Sequence, residues 1–346
     1  MKKNILAVAI AGAMAAPLAA NASAPTLYGQ MNIAVDTVSE NGNEVVNRNS
    51  RLGVKGSEDL GNGLKAVYQF ETTLVVNGGG NGGFGGQRNT FVGVAGGFGT
   101  VIAGRHDTPL RMIQPNDRFN DSAYLGNNTG LFGGLNSSAG NLSGEDRLSN
   151  MVAYLSPNIN GFQVVFGGIT DSTSGKDKQS LGNAYSASVS YGSKRNGLYA
   201  AVGLTQRTKD LNTVTKAATT NPDAPAVVLE EVQNTRAVVQ YADSGLVVSG
   251  MFNGVTAKGI GDTNAFTLGA MYTMGDFTPR AKVAFVDYAK DFNRKDATNF
   301  ALGLDYALGK KTRTFVEYGV LDKNNAAGVS NTKSTDVFTV GLAHSF

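Results

Sequence analysis

The chain ends Thr335-Asp336-Val337-Phe338-Thr339-Val340-Gly341-Leu342-Ala343-His344-Ser345-Phe346. Phe338, Val340, Leu342, His344 and Phe346 fall on one face, and Val337, Thr339, Gly341, Ala343 and Ser345 on the other. Bulky side chains alternate with small or polar ones, the period of two that a strand shows when only one of its sides meets an apolar medium.

The same alternation recurs upstream in about sixteen segments, most close to the ~9–11 residues that a tilted membrane-spanning strand needs. They lie near 26–37, 48–57, 64–75, 87–95, 100–106, 147–155, 162–170, 184–191, 198–207, 232–241, 246–253, 264–273, 278–288, 298–306, 312–321 and 335–346. Every second connection is tight and built from turn residues, as at Leu60-Gly61-Asn62-Gly63, Asp243-Ser244-Gly245 and Leu308-Gly309-Lys310-Lys311. The others are longer and polar, notably 77–86, 107–146 and 208–231. The pattern predicts an all-β fold, a 16-stranded antiparallel transmembrane β-barrel with short turns at one rim and long loops at the other.

Composition is compatible with this. The chain has 45 glycines, 8 prolines and a mean hydropathy of −0.13. No stretch after the N-terminus reaches the ~18 apolar residues of a spanning helix. A soluble all-β protein would share these averages, but a barrel hides its membrane face in the alternation. Met1-Lys2-Lys3 followed by an apolar run to Ala20 reads as a signal peptide, with cleavage after Ala22 favoured over Ala24, which would leave Pro25 at the cut. The expected domains are therefore 1–22, signal peptide, and 23–346, barrel. Without Lys2 and Lys3 the 30 basic residues become 28 against 27 acids, a charge of +1 that argues against nucleic acid as a partner. There is no Cys and only two His, so no disulfide framework, thiol nucleophile or His-rich metal site is expected, and no cofactor.

Tyr154, Tyr191, Tyr241, Tyr272 and Tyr306 each stand just before a tight turn, and Phe346 takes the equivalent place in the last strand. Aromatics at a common depth predict a girdle at a membrane interface. Segments 48–57 and 87–95 lack it, so their wall is expected to meet another subunit, with Gly93 and Ala95 permitting close approach.

So wide a barrel is a water channel unless something enters it. The connection 107–146, about 40 residues with Pro109 and Pro115, is the candidate to fold inward and narrow it. Alternation places Arg51, Lys55, Arg147, Ser149, Arg280, Lys282, Arg313 and Glu317 on the lumen side, with Leu148 outward. Charges around a gap comparable to the ~8 Å Debye length can filter permeating ions.

Several segments then resemble the general porin family of Gram-negative bacteria, in particular its β-proteobacterial branch. They are Thr26–Gly29, the run Ser50-Arg51-Leu52-Gly53-Val54-Lys55-Gly56-Ser57-Glu58-Asp59-Leu60-Gly61-Asn62-Gly63-Leu64-Lys65, Phe91–Gly93 with Gly104-Arg105, Asn150–Tyr154 with Ser156-Pro157, and Phe346. The resemblance implies a trimer in the cell outer membrane whose third loop folds into the lumen. It also implies a basic wall of Arg51, Arg105 and Arg147 facing acids on that loop. Arg105 follows the family and a bend at Gly104 here, since strict alternation aims it outward. Gln30 stands where relatives sometimes carry Lys. The loop lacks the family's Pro-Glu-Phe-Gly-Gly, and Asp117 and Asp121 are taken in its place. The expected partners are two more copies of the chain through the early strands, outer-membrane lipids and lipopolysaccharide, and the barrel-assembly machinery reading Phe346.

The expected function is passive diffusion of ions and small hydrophilic solutes, with a solute-selective channel or a surface adhesin barrel as alternatives. An enzyme is not expected. His344 and Ser345 are strand neighbours on opposite faces, His106 has no Ser partner in sequence, and 78–86 resembles a phosphate loop in glycine count alone.

Overall fold

The computed structural model describes residues 23–39, 41–78, 83–119, 121–126, 144–169, 184–207, 231–258, 261–289, 296–322 and 334–346. The expected signal peptide lies outside them. The strands are β1 (Ser23–Val38), β2 (Gly42–Asn47), β3 (Arg51–Gly61), β4 (Leu64–Leu74), β5 (Phe84–Gln87), β6 (Thr90–Gly96), β7 (Gly99–Asp107), β8 (Arg147–Leu155) and β9 (Phe162–Ile169). They continue as β10 (Ala184–Gly192), β11 (Gly197–Arg207), β12 (Val232–Asp243), β13 (Leu246–Ala257), β14 (Gly261–Tyr272), β15 (Phe277–Asp287), β16 (Ala297–Ala307), β17 (Thr312–Leu321) and β18 (Thr335–Ser345). Among the described residues one short helix, α1 (Pro109–Met112), follows β7.

Eighteen segments make sixteen traverses. β2 and β3 both pair with β1, and β5 and β6 both pair with β4, so each couple is one passage broken by a polar step at Arg48–Ser50 and at Arg88–Asn89. Pairing is antiparallel throughout and closes through β1 and β18, in register from Gln30↔Ser345 to Val38↔Val337. Gly29 and Phe346 exchange backbone hydrogen bonds of 3.2 and 3.1 Å, so the last residue seals the seam. A closed sheet leaves no edge to pair with another chain.

The terminal strand sorts as its sequence predicts. Val337 and Thr339 are fully buried inside, whereas Phe338, Val340 and Leu342 are 46%, 48% and 44% exposed outside. Around the barrel the outward face is apolar, with Leu27, Val92, Phe166, Val202, Val239 and Leu268 exposed. Inward positions hold buried Gln30, Asn32, Ser186, Thr205, Asn234, Gln240 and Asn299. That is the reverse of a water-soluble sandwich and fits a wall with hydrocarbon outside.

Tight turns gather at one rim. Asn62-Gly63 and Ser244-Gly245 both place two consecutive residues at positive φ, the hairpin geometry whose twist matches the flanking strands. At the other rim the connections are mostly long, although β1 to β2 and β13 to β14 also join within a few residues.

Candidate functional site: the lumen and the segment bound within it

The chain leaves β7 through Thr108, whose hydroxyl accepts from the Arg111 amide at 3.2 Å and starts α1, with Pro109 preset for its first position. Four apolar residues then dock the segment on inward-facing wall positions. Leu110 is fully buried, Ile113 packs with Tyr199, Ala201 and Val232, and Phe119 and Leu125 pack with Val38, Ala284, Ala301 and Val337. Leu125 approaches so closely that a Cβ on Gly319 would lie 2.3 Å from its Cδ2.

Polar contacts follow the same path. The Asn116 amide donates to Gln240 Oε1 at 2.7 Å, Arg118 pairs with Asp305 at 2.5 Å, Lys282 pairs with Asp117, and Asn49 Nδ2 donates to Asp121 Oδ1 at 3.2 Å. At the far end Glu145 pairs with Arg236 at 2.6 Å and Asp146 with Arg207. Gln240, Asp305 and Arg280 lie near the tight-turn ends of their strands, so the described part reaches into that half of the barrel.

The opposite wall carries the basic side. Arg51 donates to Gln30 Oε1 at 2.8 Å and Lys55 lies 5.2 Å from the Tyr28 ring centroid. Arg88 pairs with Glu71 at 2.5 Å, and Arg147 with Asp107 at 2.9 Å. From α1, Arg111 approaches Asp107 at 3.3 Å and Glu145 at 3.9 Å. Burial pulls the Arg111 pKa down, but Asp107 and Glu145 outweigh it and hold the group above its ordinary value. Around this passage stand Arg51, Lys55, Arg88, Arg111 and Arg147 against Glu71, Asp107 and Asp121.

Arg280, Lys282, Arg313 and Glu317 do point inward, yet each is paired. Arg280 bonds Asp305 at 2.8 Å and Glu317 at 2.9 Å, and Arg313 reaches Asp305 at 3.2 Å. Arg48, 2% exposed, bonds Asp36 at 2.9 Å, Glu317 at 2.5 Å and Thr339 at 3.0 Å, joining the strands on both sides of the closing seam. Asp117 is likewise held by Lys282, whereas Asp121 extends to Asn49 on the basic side.

The structure corrects the expectations for Ser149 and Leu148, where alternation fails, and those for Arg105 and for Gly93 and Ala95. Asn150 takes φ 55 and the β7–β8 register shifts between Gly104 and His106. Ser149 and Asn150 together oppose Arg105, a bulge that leaves all three on the outer face. Arg105 therefore lies outside the lumen cluster, donating to Ser149 Oγ at 2.9 Å and the Gln87 carbonyl at 3.0 Å. Ser149 faces out rather than in, and Leu148 packs on the inner cluster of Phe91, Ile102 and Met151. Gly93 and Ala95 also face inward, with a Gly93 Cβ directed at Ile102; Val92 and Val94 form the outer surface there. Sequence reading missed Arg48, Arg88, Arg118, Arg236 and Asp305. Arg48 and Arg88 sit in polar breaks beside Asn residues, the one signal that marked them.

Tyr154, Tyr191, Tyr241, Tyr272, Tyr306 and Phe346 stand exposed on the outer face beside the tight turns. Phe162 and Phe277 join them, 4.9 Å from the rings of Tyr191 and Tyr306.

A closed sixteen-stranded barrel, apolar outside and charged within, defines an outer-membrane channel protein. The chain matches the Gram-negative porin family model over residues 6–326, and it belongs to that family. It is 31% identical to the major outer membrane protein P.IB of Neisseria meningitidis serogroup A / serotype 4A, and 28% identical to outer membrane porin protein 32 of Delftia acidovorans, each over 100% of both chains. Among solved structures it resembles an anion-selective porin from Comamonas acidovorans, with a TM-score of 0.72 at 24% identity, covering 93% of this chain and 99% of that one. The trimer form of OmpT from Vibrio cholerae gives a TM-score of 0.69 at 17% identity, covering 94% and 100%. The protein resides in the outer membrane and forms a water-filled channel for passive diffusion of ions and small hydrophilic solutes.

Proposed function

We propose that the connection after β7, through its described residues 108–119, 121–126 and 144–146, constricts this channel and that the remaining passage favours anions. The observation that carries the reading is the charge balance at the passage, where Arg51, Lys55, Arg88, Arg111 and Arg147 outnumber Glu71, Asp107 and Asp121. The Comamonas porin that shares the fold is described as anion-selective, which supports the same preference. In water a unit charge acts on an ion ~8 Å away with ~0.5 kcal/mol. Removing two charges is thus worth about 1 kcal/mol for each ion, with opposite sign for chloride and potassium, so about 2 kcal/mol or roughly thirtyfold in permeability ratio. Reversal potentials in a salt gradient test this: the wild type should favour chloride over potassium, and Arg51→Gln with Arg147→Gln should cut the preference by that factor. Equal permeabilities in both proteins would defeat the reading.

The channel works as a homotrimer joined through the outer face of the early strands. Leu27, Met31, Val92, Val101 and Val152 are exposed there. Arg105 lies in the same wall beside an open hollow lined by Gln87, Ser149 and Asn150. A charge facing lipid carries a penalty that grows from about 0–1 kcal/mol near the rims to about 2–4 kcal/mol at mid-depth, and a subunit contact removes it. The remaining outer wall, with its tyrosine ring, meets lipid and lipopolysaccharide, and Phe346 is the end presented to the barrel-assembly machinery.

A further inference from the structure

The turn between β10 and β11, residues 193–196, lies at the tight-turn rim, where a lysine would ordinarily extend into water. Lys194 instead turns inward. Its Nζ donates to the carbonyl of Met112, the last residue of α1, at 2.7 Å and lies 5.2 Å from the Tyr199 ring centroid. Helix-end carbonyls have no partner within their own helix, so the ammonium fills a real vacancy. The Lys194 carbonyl accepts from Asn116 Nδ2 and from Gln240 Nε2, both at 2.7 Å, while Gln240 Oε1 accepts from the Asn116 amide at 2.7 Å. These four bonds close a ring through residues 112 and 116 of the inserted segment, the turn and the wall.

We propose that Lys194 is a positioning residue that, with Asn116 and Gln240, clamps the constricting segment to the opposite rim and so fixes the width of the passage. This rests on the reading that the segment constricts the channel. Residues 112–116 bring no charge of their own, so Lys194 supplies the only charged bond in the ring. The charged and titratable groups that face it are Arg236 on β12, Glu145 at the end of the segment and Tyr199 on β11, with Arg195 beside it in the turn. Burial, and then repulsion from Arg236, push the Lys194 pKa down to about 8. The seated side chain is therefore charged below that pH, and between it and the ordinary value of 10.5 a released Lys194 would hold a proton that the seated one has lost, so rising pH favours the seated state.

Single-channel recordings in planar bilayers test the clamp. Lys194→Met should raise the time spent in wider conductance levels about tenfold, the factor that loss of one charge-assisted hydrogen bond corresponds to. Asn116→Ala, which breaks the ring from the loop side, should act in the same direction. Wild-type channels should lose wider levels as pH rises from about 8 towards the ordinary lysine value of 10.5, whereas Lys194→Arg, charged throughout, and Lys194→Met, never charged, should not respond to pH in that range. Because the chain has no cysteine, Asp121→Cys modified by a bulky thiol reagent tests the constriction separately. Blockage by the reagent together with wild-type behaviour of Lys194→Met and Asn116→Ala would overturn the clamp alone. Unaltered conductance after modification would overturn the constriction itself. Should Lys194→Met fail to fold, Asn116→Ala and the wild-type pH profile decide the matter.

Discussion

Arg48 stands where β2 breaks before β3, and its guanidinium bridges Asp36 of β1 and Glu317 of β17 while bonding Thr339 of β18. Replacing one partner of a buried ion pair leaves the other uncompensated, at a cost of about 3–5 kcal/mol. Arg48→Leu should lower the urea midpoint of the detergent-folded barrel accordingly; an unchanged midpoint would show that the seam does not need this residue. Lys194 gives a pH dependence of definite sign. Below about pH 8 folded and unfolded chains are both protonated there, and the burial cost is fully present. Between about 8 and the ordinary 10.5 the unfolded chain binds more protons, so stability should rise with pH. Comparing urea midpoints of wild type and Lys194→Met across that range isolates this contribution, which the variant lacks.

At the scale of elements, the inserted segment is seated chiefly by shape. Gly319 on β17 receives Leu125, and a side chain there would collide with it. Overpacking of this kind costs about 1–3 kcal/mol, and here the loop can yield more readily than the wall. Gly319→Val should therefore leave the barrel folded, as judged by its strand circular dichroism, while broadening the distribution of single-channel conductance. A sharp, wild-type distribution would mean that Leu125 does not fix the segment. The bulge at Asn150 acts similarly on β8: one extra residue turns Ser149 to the outside, beside the outward Arg105 of β7, and draws Leu148 inward.

For the whole molecule the outer wall divides into a sector from β8 onward that carries the tyrosine ring and a sector from β1 to β7 that lacks it. Light scattering should give a trimer, and Val101→Asp with Val152→Asp, on the neighbouring strands β7 and β8, should release monomers that still contain a folded barrel. Intact trimers from that variant would place the interface elsewhere. The two rims differ too, because tight turns cannot carry recognition or plugging segments whereas the opposite connections can.

Most strand spans were legible in the sequence to within a few residues, because a wall between lipid and water forces each side chain to declare its side. The terminal strand, the tyrosines before the turns and the inward direction of Arg51, Lys55, Arg280 and Lys282 all followed from that period of two. Local pattern does not reveal where the period slips, so Arg48 and Arg88 went unnoticed and Arg105 was drawn inward by family likeness against its own alternation. Nor does it show which charges neutralise each other, since Arg280 meets Glu317 over the intervening β16, Arg48 meets Glu317 across the closing seam, and Lys282 meets Asp117 only when the inserted segment docks. The sequence by itself determined a barrel and the side each strand residue takes. Tertiary structure decided which lumen charges remain available to a passing ion, because pairing depends on distances through space rather than along the chain.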